Sequence, residues 1–136
     1  MSESVTVGDY ESATVGHFGT ATAGHGGQAI ALSYGVAMVG PYGYASAGDG
    51  GTARAGNHSS AIAGYNGTAI VGDYGYASAG RGGNVQGGKG SRLSIIYGNV
   101  YGDIDSSRIM VAYVGNDGIE AGVMYELDAK GNFVTV

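Results

Sequence analysis

The sequence predicts an all-β protein: an octapeptide-repeat β-solenoid with two octads per coil and a small C-terminal β cap. Three observations predict it: an unbroken eight-residue repeat, small apolar residues at two fixed places in each repeat, and a change of pattern after Lys89. Written in eights from Ser2, the chain reads SESVTVGD, YESATVGH, FGTATAGH, GGQAIALS and onward to GGNVQGGK, eleven octads without an insertion. A search for such periods precedes any other reading of a glycine-rich chain.

The fourth place of each octad is Ala or Val, from Val5 and Ala13 to Ala77 and Val85, and so is the sixth until Gly87. Polar residues fill most of the places between them, as in Thr20 and Thr22 or Tyr44 and Ser46. Apolar residues two apart describe a short strand with one buried face, and a helical period does not fit. The seventh place is Gly except at Leu32, and the second is Gly or Ser from the third octad onward. Glycines flanking each strand predict corners where the backbone turns through positive φ at the glycines. A strand of this length cannot bury its face alone, so the coils must stack and share backbone ladders at about 4.8 Å per rung.

Two octads per coil follow from the size of the inward side chains. Methyl groups fill the space between two close sheets, whereas a triangular coil would leave voids, and voids destabilise. The chain also duplicates itself: residues 18–49 and 50–81 are identical at 19 of 32 positions, and "YGYASAGD" returns as "YGYASAGR". Thirty-two is a multiple of sixteen and not of twenty-four.

After Lys89 the strands become bulky: "RLSIIYG", "SRIMVAYVG", "GVMYELD" and "NFVTV", the last two joined by a turn at Asp128 to Gly131. The chain therefore divides into a solenoid over residues 2–89 and a cap over residues 90–136, in which Leu93, Ile95, Ile109, Val111 and Val114 are expected to cover the last coil. At the other end Glu3 and Glu11 stand where later octads carry Gly or Ser, and charge there opposes end-to-end stacking. The alternative is that this end pairs with a second copy to give a homodimer.

Composition narrows the function. Of 136 residues 29 are Gly, none is Cys, and the net charge is -5. Without cysteine there is no disulfide framework and no thiolate metal site. The negative charge argues against nucleic-acid and anionic-membrane partners. The opening "MSESVTVGDY" lacks a basic segment followed by an apolar run, and no apolar stretch is long enough for a transmembrane helix, so a cytoplasmic protein is expected.

The run FGTATAGHGG and its relatives down to Arg81 resemble a family of bacterial and phage-encoded proteins built from tandem GTATAGxx octads. The segment YVGNDGIEAGVMYELDAKGNFV at Tyr113 to Val134 is similar to the closing segment that follows those octads. The resemblance spans nearly the whole chain. It implies the solenoid fold and a phage or mobile-element setting, with the host cytoplasm as its location, and it carries over no catalytic residue.

No convergent catalytic, cofactor or metal site is legible. His17 and His25 fall at opposite edges of a sixteen-residue coil, and His58 beside Asn57 reads as a solvated corner residue. Asp9, Asp49 and Asp73 share the eighth place, but calcium-binding rolls need a nine-residue unit. "GRGGNVQGGKGS" breaks the phosphate-loop order because Gly90 follows Lys89.

Tyrosine is the informative residue, with 11 in a chain whose repeat has no interior space for a ring. Tyr10, Tyr42 and Tyr74 recur at the first place every second coil, with Tyr44 and Tyr76 two residues on, and Ile30 and Ile62 share their sheet. Such a stripe either shields neighbouring glycines or forms a recognition surface, since Tyr is enriched among interface anchors. Met38 and Ile70 add apolar area on the other sheet. The reading is a noncatalytic, rigid protein-interaction module that, in a phage or mobile-element setting, occludes a host protein such as a defence component, with the partner either a host protein or a second copy. The alternative is an ice-binding or structural, adhesin-like surface, carried by a Ser4, Thr20, Thr52, Thr68 column that Val36 and Asn84 interrupt.

Overall fold

A computed structural model describes residues 4–97, 108–116 and 118–136. Every element among them is a strand: β1 Ser4–Thr6, β2 Ser12–Val15, β3 Thr20–Ala23, β4 Gln28–Ala31, β5 Val36–Val39, β6 Tyr44–Ala47, β7 Thr52–Arg54, β8 Ser60–Ala63, β9 Thr68–Ile70, β10 Tyr76–Ala79, β11 Asn84–Gln86, β12 Arg92–Tyr97, β13 Arg108–Tyr113, β14 Met124–Leu127 and β15 Phe133–Thr135. The alternation of small apolar and polar residues places the odd strands β1 to β11 in one sheet (A), which β14 and β15 extend, and the even strands β2 to β12, with β13, in the other (B). Parallel partners are sixteen residues apart throughout, as in Ala21↔Ala37 and Ala45↔Ala61. Two octads therefore make one coil, and the solenoid has about six turns.

The core is a double row of methyls between the sheets. Ala21, Ala37, Ala53 and Ala69 of sheet A and Ala29, Ala45, Ala61 and Ala77 of sheet B have no exposed surface. Each such methyl contributes only about 0.8 kcal/mol on burial, so the backbone ladders and their close stacking carry much of the architecture.

The corners differ from expectation in an instructive way. Positive φ falls at the first place, not at the flanking glycines: Tyr10, Phe18, Tyr34, Tyr42, His58, Asn66 and Tyr74 lie at φ 56 to 61. In most corners the second-place N–H donates back to the seventh-place carbonyl, as from Gly27 to Gly24 at 3.1 Å. That is a β-turn with a left-handed third residue, as type II turns require, and Pro41 occupies the second turn position that such turns favour. The second-place glycines are needed for want of space instead. A Cβ on Gly27 would stand 2.7 Å from Ala23 Cβ and 2.9 Å from the Glu11 carbonyl.

Beyond Lys89 the parallel register continues into β12, where Leu93 pairs with Ala77 and Ile95 with Ala79. Gly87 interrupts the sixth-place methyl row because Ser91 and Leu93 fill that space: a Cβ there would meet Ser91 Cβ at 2.7 Å and Leu93 Cδ2 at 3.0 Å. Antiparallel strands then close both sheets, β13 on β12 and the β14–β15 hairpin on β11. The Asp128–Gly131 turn forms, with the Asp128 carboxylate accepting from Lys130 N and Asn132 N at 2.9 Å. Tyr125 is buried as part of the cap core, its hydroxyl accepting from Glu120 N at 2.7 Å.

Leu93, Ile95 and Val114 cover the last coil as expected, but Ile109 and Val111 do not. They are 67% and 46% exposed, because the register Leu93↔Ala112 and Ile95↔Met110 turns Met110 and Ala112 inward instead. At the opposite end Glu11 is exposed and accepts from Gly8 N at 3.2 Å; Glu3 lies outside the described residues.

Candidate functional site: an aromatic ladder on one edge

The two corner edges of the solenoid carry different side chains. The edge that leads from sheet A to sheet B holds, at its first places, Tyr10, Gly26, Tyr42, His58, Tyr74 and Gly90. His25 comes from the eighth place of its turn and fills the gap at Gly26. The rings form a continuous run: Tyr10 meets His25 edge to face at 5.7 Å, His25 meets Tyr42 at 5.4 Å, Tyr42 stacks on His58 at 5.1 Å, and His58 stacks on Tyr74 at 5.5 Å. Their edges face solvent: Tyr10, Tyr42 and Tyr74 are 78%, 61% and 54% exposed. His58 is exposed, as expected of a solvated corner residue, and is also a member of the ladder. The opposite edge holds Phe18, Tyr34, Gly50, Asn66 and Gly82, and its stacking is limited to Phe18 on Tyr34 at 5.4 Å.

Shielding also occurs. The rings of Tyr10, Tyr34 and Tyr74 lie over Gly26, Gly50 and Gly90, where a Cβ would sit 2.6 Å from each ring. Shielding does not account for the choice of residue. A non-glycine residue in the left-handed region costs about 1–2 kcal/mol, and an aromatic pair returns about 0.5–1.5 kcal/mol. The ladder therefore roughly balances its own strain, and first places such as Gly26, Asn66 and Gly82 adopt the same left-handed turn without a ring.

A second device was hidden in the sequence. Second places on the opposite edge are all Gly from Gly19 to Gly83, and each of those turns closes its own hydrogen bond. On the ladder edge Ser59 and Ser91 take that place, buried. Ser59 Oγ accepts from Gly43 N at 3.0 Å and contacts the Gly40 carbonyl at 3.1 Å; Ser91 Oγ accepts from Gly75 N at 3.1 Å and donates to the Gly72 carbonyl at 2.7 Å. Each hydroxyl is inserted into the turn of the preceding coil, and those turns bear Tyr42 and Tyr74. The signal was available as Ser in alternate coils of one edge.

The eighth-place acids staple the corners. Asp9, Asp49 and Asp73 each accept, through Oδ1, from the eighth-place N–H one coil on, at 2.9–3.0 Å, and Asn57 does the same at 2.8 Å. Among the described residues no three His, Asp or Glu side chains converge to hold a metal.

Tyr44 and Tyr76 lie on the outward face of sheet B, half-buried, in the column beside the ladder edge. Tyr76 is fixed by the cap: Arg92 lies 4.2 Å over its ring, and its hydroxyl bonds to Ser94 Oγ at 3.1 Å. That bond, with the Ser78 hydroxyl and the Arg92 charge, holds the phenol below the usual tyrosine pKa. Ile30 and Ile62 share the face but stand in the other outward column, toward the opposite edge. The structure therefore separates them from the first-place tyrosines. On sheet A, Ser4, Thr20, Val36, Thr52, Thr68 and Asn84 do align in one column. No protein-family model, curated protein or solved structure matches this chain.

Proposed function

We propose that this protein is a noncatalytic, rigid interaction module whose contact surface is the edge bearing Tyr10, His25, Tyr42, His58 and Tyr74. The observation that supports it is the continuous display of exposed aromatic rings at left-handed positions, where ring contacts only roughly offset the backbone strain they accompany. Tyrosine with few rotatable bonds gives large contact area at low ordering cost, and a solenoid holds it preorganised. Tyr44 on one flank and Met38, Arg54 and Ile70 on the other have the composition of interface cores. With the octad resemblance, the use that fits is a phage or mobile-element protein covering a surface of a host protein. The test is capture from host lysate with the wild type, a Tyr42→Ser/Tyr74→Ser variant and a Tyr34→Ser variant. The reading expects a captured protein lost with the first variant and kept with the second; loss with neither, or with both alike, overturns it.

A further inference from the structure

We propose that the C-terminal end is a homodimer surface, formed by antiparallel pairing of β13 with β13 of a second copy. β13 is the last strand of sheet B, and among the described residues nothing pairs with its outer side. Val114 N donates to Ser91 O at 2.9 Å. By the alternation of antiparallel ladders, the backbone groups of residues 110, 112 and 114 face β12, and those of Ile109, Val111 and Tyr113 face the open edge.

The strand is complementary to itself about Val111. An antiparallel copy centred there sets Ile109 against Tyr113 of the partner on the outward face, a β-branched and aromatic pair of the stabilising kind. On the inward face it sets Met110 against Ala112 of the partner, large against small. Ala112 borders a groove of about 290 Å³ whose other walls include Ile119 and Phe133. The edge thus offers main-chain partners together with a recess for alternate side chains, the two components of strand addition. Two-fold pairing closes on itself, where a head-to-tail contact would propagate into fibres.

Among the described residues, the charge in β13 is confined to Arg108 at its start, and residues 109–113 carry neither charge nor Pro. The opposite end of sheet B presents Ser12 and Thr14 outward, with Asp9 and Glu11 exposed beside them. β13 is six residues long and presents Ile109, Val111 and Tyr113 at 67%, 46% and 51% exposure. Natural edges of this kind carry charge, Pro or a bulge unless they are used.

The test is sedimentation equilibrium of the full chain and of one lysine variant, together with oxidative cross-linking of two cysteine variants. The wild type should weigh twice the 13.5 kDa monomer, and Val111→Lys, which sets like charges face to face, should weaken the dimer at least about tenfold. The chain has no cysteine, so Val111→Cys should oxidise cleanly to a covalent dimer, the opposed Cα atoms lying about 5.5 Å apart. Thr14→Cys on β2 should not. A monomeric wild type at millimolar concentration, a dimer indifferent to Val111→Lys, or cross-linking through Thr14→Cys alone would overturn the proposal. None of these results bears on the tyrosine edge.

Discussion

The two edges of the solenoid share one backbone and one turn geometry, yet only one of them is decorated along its length. The Phe18 edge uses Gly at every second place, closes every turn with its own hydrogen bond and lapses into Gly50, Asn66 and Gly82. The Tyr10 edge opens the turns under Tyr42 and Tyr74 to admit a serine hydroxyl and keeps rings in contact from Tyr10 to Tyr74. The plain edge shows what folding requires, and the difference between the edges shows what has been added to it.

The largest effect should come from breaking the scaffold common to both. Ala45 is wholly buried between the sheets, and Ala45→Leu is expected to lower the unfolding free energy by about 3 kcal/mol through overpacking, read by urea denaturation. A variant as stable as the parent would refute the methyl-packed core.

Next, the serine bridge separates the edges. Ser59→Ala removes the acceptor of Gly43 N and the donor to Gly40 O and should cost about 1–2 kcal/mol. Ser59→Gly allows the turn to close as its counterparts do, and should cost about 1 kcal/mol less by thermal melting.

The strain argument predicts a smaller contrast. Tyr42→Gly loses ring contacts with both His25 and His58, and Tyr34→Gly loses one with Phe18. Both relieve a left-handed tyrosine, so Tyr34→Gly should be the more stable variant by about 1 kcal/mol. Equal stabilities would mean that the longer ladder adds nothing.

The smallest effect is a pH dependence in the cap. Backbone N–H groups of Asn132 and Lys130 hold the Asp128 carboxyl below its ordinary value. A lowered folded pKa gives stability that is full above the unfolded value and lost as pH falls through the folded one. Amide protection factors in the β14–β15 hairpin, corrected for the intrinsic exchange rate, should therefore fall modestly on acidification below pH about 4, and Asp128→Ala should abolish that change.

Much of the fold was legible because an octad repeats one solution. Ala or Val at the fourth and sixth places, with a 32-residue duplication, leaves little choice but paired sheets with sixteen residues per coil. The corners were misread because glycine signals two different things, freedom of φ and absence of Cβ. Gly27 is there for the second reason, and Tyr42, not a glycine, takes the left-handed turn position of its corner. The cap was misread at Ile109 and Val111 because a one-residue shift of register exchanges the faces of a strand, and no repeat anchors the register of β13. His58 could not be assigned from Asn57 beside it, since its neighbours in space are sixteen residues away on either side.

The duplication has a consequence for how such a molecule adapts. The sixth places of sheet A alternate Val7, Ala23, Val39, Ala55 and Val71, and tyrosine alternates with histidine or glycine on the adjoining edge, so the unit that can be added or deleted is two coils. Each event lengthens or shortens the molecule by about 10 Å without disturbing the rungs on either side. The span can thus change only in fixed steps, as one cuts a measuring rod to length.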